Sequence, residues 1–296
     1  MREVYYAADI GNYLIKDSKC NLFPSKVALV QAYNSSADVL KMSRKTYYIG
    51  EGEYEINVKK YEKSNYLPLL LTGICKSFDD EYVSVRLAVG LPLNQFKSCK
   101  DEVVNMLEDT KHSVVFNGKP KTIEITTVEV YPEGISAYQH LVDDYSDEIG
   151  SRDVVLVDVG GYTTDICLIS DYKATKLTSL QIGSIHFYDA IKKALEDRYI
   201  DVKIDLEKVR HYVLNGFWYE GCEQDISFAI EAAGPLFEKI YNELKLNYPI
   251  TTEVTMLIGG GSELLADTFE DYISDLIVVD DLFATAHGYL ELLEEA

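Results

Sequence analysis

Positive charge is what this sequence most lacks. Its 28 Lys and Arg stand against 49 Asp and Glu, for a net charge of −21. Affinity for DNA rests largely on Lys and Arg neutralising phosphates, so this balance excludes direct binding to DNA or to an anionic membrane surface. Any action on DNA would need a basic intermediary. Cysteine is also scarce: Cys20, Cys75, Cys99, Cys167 and Cys222 form no CxxC pair. That dispersal argues for reduced thiols and against a disulfide frame or a zinc motif. His112, His140, His186, His211 and His287 are equally scattered. The longest apolar stretch, around "YLPLLLTGIC" (66–75), falls far short of the roughly 20 residues that span a bilayer. The start, "MREVYYAADIGNY", carries charge at once and no apolar signal core, so the expectation is a soluble, cytoplasmic protein. No GxxxxGK[ST] loop occurs, and no glycine cluster has the GxGxxG spacing of a dinucleotide-binding turn.

What is present is an internal echo. The 296 residues, 47% of them hydrophobic, suit two domains of about 100–200 residues each, and no Pro- or Ser-rich linker separates them. "ADIGNYLIK" (8–16) and "VDVGGYTTDICLI" (157–169) each run strand, Asp, β-branched residue, Gly, turn residue, Tyr and second strand. Asp9 and Asp158 lie about half the chain apart. A second pair follows in the same order: "VRLAVGLPLNQF" (85–96) and "VTMLIGGGSELL" (254–265), each a buried strand ending in glycine before a helix. The pattern predicts an α/β protein of two similarly folded halves, each opening with a glycine-turned hairpin. Between them, "IEITTVEVYPEGISAYQHLVDDY" (123–145) reads as an alternating strand, a Pro-Glu-Gly break and an amphipathic helix. Further helices are expected at 97–110, 185–198, 205–215, 223–246 and 262–274. The polar, tyrosine-rich stretch 41–69 reads as a small peripheral subdomain.

The chemistry lies in the turns. Successive backbone N–H groups in a glycine turn form a concave nest for phosphate oxygens, and two such turns in facing halves would clamp a polyphosphate. Asp9 and Asp158, at the turn starts, would then hold Mg²⁺ through its waters, because Mg²⁺ dehydrates reluctantly. Lys16 would reach a phosphate, Thr163 and Thr164 would donate hydroxyl hydrogen bonds, and Gly259, Gly260 and Gly261 would let a base or ribose pack against backbone. Taken singly, each of these is an ordinary turn or strand residue. The order of hairpin, strand-Gly, strand-Pro-Glu, hairpin and strand-Gly-Gly-Gly is far more specific.

These residues resemble the actin-like ATPase superfamily over almost the whole chain. "DIGNYLIK" is similar to its first phosphate loop, "DVGGYTTDICLI" to its second, "LIGGGSELL" to its adenosine motif, and "VYPEG" to the segment carrying a catalytic Glu or Gln. "AVGLPLNQF", "PEG" and the modest size look most like the ParM/StbA plasmid-segregation actins. The resemblance implies an actin-like (ribonuclease H-like) fold of two duplicated α/β domains flanking a nucleotide cleft. It places domain I at about 1–150, with a peripheral subdomain about 30–70, completed by a closing helix at 280–296. Domain II would cover 151–279, with a peripheral part about 190–245. It implies ATP or GTP with Mg²⁺ as ligands, Glu133, Asp158 and Asp9 as catalytic, and Asp9 and Asp158 as metal-holding. Nucleotide contacts fall on Gly11, Asn12, Tyr13, Lys16, Gly160, Gly161, Tyr162, Thr163, Thr164, Gly183, Glu207, Gly259, Gly260 and Gly261. Asn12 and Tyr13 replace a Ser/Thr-rich turn, and Tyr162 is bulkier than usual. The implied function is a head-to-tail filament that hydrolyses nucleotide and moves plasmid DNA through a basic adaptor of ParR type, with no membrane partner. The alternatives are a small-molecule kinase or a non-polymerising ATPase of the same fold.

Overall fold

The computed structural model describes residues 3–33 and 35–296. They form two compact units. The first comprises the N-terminal part to Arg152 together with 170–177 and 281–296; the second comprises 153–169 and 178–280. The short segment 170–177, expected with the second half, groups with the first.

The first unit is built from β1 (Val4–Ile10), β2 (Leu14–Asp17), β3 (Leu22–Pro24), β4 (Lys26–Ala28), β5 (Asp38–Met42) and β6 (Lys45–Tyr54), then α1 (Tyr66–Ser77). It continues through β7 (Tyr82–Leu91), α2 (Leu93–Leu107), β8 (Thr110–Phe116), β9 (Lys119–Pro132), α3 (Ile135–Leu141) and α4 (Ser146–Ile149). The chain goes on through β10 (Val154–Val159), β11 (Thr164–Ser170) and β12 (Lys173–Leu180), the last grouping with the first unit up to Leu177, and then in the second unit through α5 (Ser184–Arg198), α6 (Leu206–Asn215), β13 (Phe217–Tyr219) and β14 (Cys222–Gln224). That unit ends with α7 (Ser227–Glu231), α8 (Gly234–Asn247), β15 (Val254–Ile258), α9 (Ser262–Glu270) and β16 (Leu276–Val278), after which α10 (Ala284–Glu295) returns to the first unit.

The sheets bear out the duplication. The first runs β3-β2-β1-β7-β9-β8-β5-β6-β4, the second β12-β11-β10-β15-β16. In each, an antiparallel hairpin (β1 with β2, β10 with β11) is followed by two parallel neighbours, β7 and β9 or β15 and β16. The second sheet therefore repeats the first five positions of the first. The central strands explain why. All of β15 is buried, as is β10 apart from Asp158, which suits parallel strands covered on both faces. Helix α1 is apolar almost all round and nearly all buried, as expected of a helix inside a core.

The strand-like 41–69 stretch supplies the end of β5 and all of β6, which extend the edge of the nine-stranded sheet through β8. Two expectations are corrected. The helix expected over 223–246 is broken into β14, α7 and α8, with Pro235 in the first turn of α8, where its missing N–H costs nothing. Finally, α2 begins at Leu93 and ends at Leu107, leaving room for β8. This strand pairs with β9 across Asn117 and Gly118, whose φ values of 49° and 82° are those of the hairpin turn that Asn-Gly favours.

Candidate functional site

In the first unit the β1–β2 register sets Lys16 directly opposite Asp9. Their side chains pair at 3.2 Å. A second lysine, Lys60, donates to the other Asp9 oxygen at 3.2 Å and also ion-pairs with Glu133. Lys60 comes from a single 3₁₀ turn at Lys60–Glu62. Glu133 sits at the end of β9, where its N–H donates to the Leu91 carbonyl at 2.9 Å and Gly134, at φ 71°, turns the chain into α3. Two carboxylates far apart in sequence thus share one buried ammonium. Burial disfavours the Asp9 carboxylate, but the charges of Lys60 and Lys16 outweigh it and bring the pKa down to about 2. Burial opposes the charged form of Lys60 as well, and Glu133 and Asp9 reverse that, holding it firmly protonated.

A third lysine secures the turn itself. Lys63, 3% exposed, donates to the Gly11 carbonyl at 2.9 Å and to the Ser25 hydroxyl at 3.0 Å, and Ser25 also donates to Gly11 at 2.7 Å. Burial first, then repulsion from Lys60, lowers the Lys63 pKa to about 7. Of the other expected residues in this turn, Asn12 donates to the Asn57 carbonyl at 3.4 Å. Tyr13 turns inward, its ring centroid 5.1 Å from that of Tyr54, so its side chain is part of the packing. Neither Lys60 nor Lys63 was expected. Their stretch, "VKKYEKS", lies in the 41–69 segment read as a polar, tyrosine-rich peripheral subdomain, and only long-range folding carries it to the hairpin.

In the second unit the register sets Asp165 opposite Asp158, where the first has Lys16 opposite Asp9. The Gly160 and Gly161 carbonyls accept from the first N–H groups of α5, at Ser184 and Ile185, at 2.9 and 3.0 Å. The Gly160 N–H closes the turn itself, donating to the Thr163 carbonyl at 2.9 Å. Gly183 is required by proximity: a Cβ there would stand 2.6 Å from Gly161 C and from Tyr162 N. Gly259, at φ +91°, would place a Cβ 2.4 Å from an Asp158 carboxylate oxygen. The unit therefore brings Asp158, the Gly160–Gly161 turn, Gly183 and the 259–261 glycines together. The Tyr162 ring packs against His186, 4.9 Å between centroids.

The threonines behave differently from expectation. Thr164 is fully buried and donates to the Ile182 carbonyl at 2.7 Å, while Thr163 donates to Asp165 at 3.1 Å. Both hydroxyls serve local structure. Glu207 lies exposed in the first turn of α6. An ion pair from Arg210, one turn further on, to Glu263 holds α6 beside the start of α9.

Two units of one strand plan, each with a carboxylate at the head of a glycine hairpin, define a duplicated α/β protein. Residues 7–135 match the family described as actin like proteins, N-terminal domain, and residues 156–271 match the archaeal actin homologue MreB-like C-terminal family. The chain belongs to the actin-like ATPase superfamily. It is 28% identical over 254 residues to an archaeal actin homolog of Thermoplasma acidophilum, covering 77% of this chain and 75% of that one. The homolog of Thermoplasma volcanium is 26% identical over 261 residues, with the same coverage. Among solved structures, an archaeal actin homolog, Ta0583, in complex with ADP superposes with a TM-score of 0.81 at 20% identity, covering 99% of this chain and 100% of that one. A 15-stranded ParM filament from Clostridium botulinum does so with a TM-score of 0.79 at 21% identity over all of both chains. At those identities the likeness establishes the fold.

Proposed function

We propose that this protein binds and hydrolyses a nucleoside triphosphate, ATP or GTP, and assembles head-to-tail into filaments whose growth and decay segregate plasmid DNA through a basic, DNA-bound adaptor. The observation that carries the reading is the repeated hairpin: each unit offers one glycine turn of the type that takes phosphate oxygens. The ADP bound to Ta0583 and the filament formed by the Clostridium ParM, two proteins of this fold, support it. Head-to-tail contacts are heterologous and propagate as open filaments. The charge of −21 favours the adaptor over direct contact with DNA.

Within this reading the carboxylates divide the labour. Asp158 and Asp165 face each other across the second hairpin, and two neighbouring carboxylates offer the oxygen donors that Mg²⁺ takes, directly or through its waters. That donor set fits Mg²⁺, which would neutralise charge on the phosphates. Asp9 fits it poorly, because Lys16 and Lys60 already compensate it. Asp9 instead holds the lysine pair beneath the first turn. Glu133, oriented by Lys60, positions a water for attack on the terminal phosphate, where catalysis is mainly placement and charge stabilisation.

Light scattering and phosphate release, measured with ATP, GTP, ADP and no nucleotide, test the proposal. Triphosphate alone should give polymer, and Glu133→Gln should polymerise normally while losing about 10²-fold in phosphate release. Polymer formed by Glu133→Gln that releases phosphate at the wild-type rate removes Glu133 from the chemistry. Phosphate passed to a metabolite without polymer overturns the filament.

A further inference from the structure

The first unit holds a second side-chain cluster, outside both aspartate-glycine hairpins. His140 on α3, Asp281 just before α10 and His287 on α10 converge so that one ligand atom from each lies within 4.8 Å of the others. His140 Nε2 is 3.8 Å and His287 Nδ1 3.7 Å from the same Asp281 oxygen, Oδ2. Those distances exceed a hydrogen bond, whose donor–acceptor separation is about 2.7–3.2 Å. They are close to the roughly 3.4 Å that separates two ligands about 2.05 Å from a tetrahedral metal.

The groups behind these atoms are at true hydrogen-bond length. Glu291 Oε1 stands 2.7 Å from His140 Nδ1, the nitrogen turned away from the cluster. The Phe283 N–H donates to Asp281 Oδ1 at 2.7 Å, leaving Oδ2 as the inward oxygen. The far nitrogen of His287, Nε2, has Cys20 Sγ at 3.8 Å. A histidine ligand whose other nitrogen is held by a carboxylate is the usual outer support of a metal site, because it fixes the ring's tautomer and direction. Here the outer shell is bonded and the inner shell is spaced for an ion. The three side chains are 22–30% exposed, which gives an ion a way in.

We propose that His140 Nε2, Asp281 Oδ2 and His287 Nδ1 form a binding site for one divalent transition-metal ion, with Zn²⁺ the best match and water at the fourth position. Two imidazoles with one carboxylate select Zn²⁺, Co²⁺ or Ni²⁺ over Mg²⁺ and Ca²⁺, which prefer all-oxygen shells. The site would tie the first turns of α10, where the chain re-enters this unit, to α3, which begins two residues after Glu133. It is separate from the nucleotide reading and stands or falls without it.

Isothermal titration of tag-free, full-length protein with Zn²⁺, in excess Mg²⁺, gives the first test. The expected result is one Zn²⁺ per chain at micromolar affinity or tighter, weakened at least 100-fold in His140→Gln/His287→Gln. Equal binding by wild type and the double variant, or no binding by wild type, overturns the proposal. The absorption spectrum of Co²⁺ on the wild type needs no variant to fold. Tetrahedral d–d bands without thiolate charge transfer, retained in Cys20→Ser, support the ligand set; a thiolate band or an octahedral aqua spectrum refutes it.

Discussion

Replacing Lys60 by Met tests whether one ammonium holds the first unit's carboxylates together. The side chains are 7% exposed for Lys60, 12% for Asp9 and 17% for Glu133, so solvent does little to screen them. Removing one partner of a buried ion pair costs about 3–5 kcal/mol, because the charge left behind keeps its desolvation cost and loses its compensation. Lys16 stays on Asp9, so the lower end, about 3 kcal/mol, is expected in urea unfolding followed by far-ultraviolet circular dichroism. In Lys60→Met/Glu133→Gln one of the orphaned charges is gone, and the double variant should be more stable than the sum of the single effects by 1 kcal/mol or more. Additivity within about 0.5 kcal/mol would mean that the two side chains do not communicate, and the shared-cation argument would be wrong.

Acid provides a second reading of the same variant. In the wild type the pKa of Asp9 is depressed from 3.8 to about 2, which corresponds to about 2 kcal/mol of stability at neutral pH. A depressed carboxyl contributes this above its unfolded pKa and loses it as pH falls through the folded value. Lys60→Met loses part of that depression, so its deficit against wild type should be widest near pH 7 and shrink as the carboxylates take up protons below about pH 4. A deficit that is constant from pH 7 to pH 3 would assign the effect to packing of the lysine stem.

The glycines offer a sharp contrast. Gly259→Ala forces a Cβ at φ +91° to within 2.4 Å of Asp158, and such strain should cost roughly 1–3 kcal/mol. Gly260→Ala meets nothing within 4 Å and should stay within about 0.5 kcal/mol of wild type; equal unfolding midpoints for the two variants would contradict the packing described. Lys63 carries a pH signature. Its pKa falls from 10.5 to about 7 on folding, so above pH 7 the unfolded chain binds the extra proton and this residue's contribution to stability rises with pH until about 10.5. Unfolding free energies of wild type and Lys63→Met should therefore diverge by about 2 kcal/mol in favour of wild type between pH 7 and pH 9, and parallel curves would show that Lys63 stays charged.

Much of this architecture is legible from sequence because glycine hairpins and buried parallel strands leave local marks. "DIGN" and "DVGG" state both a turn and a neighbouring carboxylate, and the order of motifs carries the duplication. The helix starts at Leu93 and Ser184 lie within a few residues of where periodicity puts them. The β8–β9 hairpin left a mark too, its Asn117-Gly118 pair, but no strand pair is expected there and the helix expected over 97–110 runs into the start of β8. What was hidden is long-range. Nothing near Lys60 says that its ammonium will reach Asp9 and Glu133, nor that His140 will meet His287 from the far end of the chain. Side chains of that kind declare themselves only when a sheet brings distant strands and helices to one place.

The two hairpins also show how a duplicated fold divides work. Both keep the aspartate at the turn, the tyrosine after it and the parallel strand beside it. They diverge at the residue paired across from the aspartate: Lys16 in one, Asp165 in the other. A cation there satisfies the first carboxylate within the protein, while a second carboxylate doubles the negative charge of the other turn. The cross-strand partner of the aspartate is thus a cation in the first hairpin and a carboxylate in the second, where Asp165 also accepts from Thr163 at 3.1 Å. On the proposed Mg²⁺ role of Asp158 and Asp165, Asp165→Lys should leave the unit folded and reduce the dependence of nucleotide affinity on Mg²⁺. An unchanged Mg²⁺ requirement in that variant, read by titrating nucleotide with and without chelator, would refute this division.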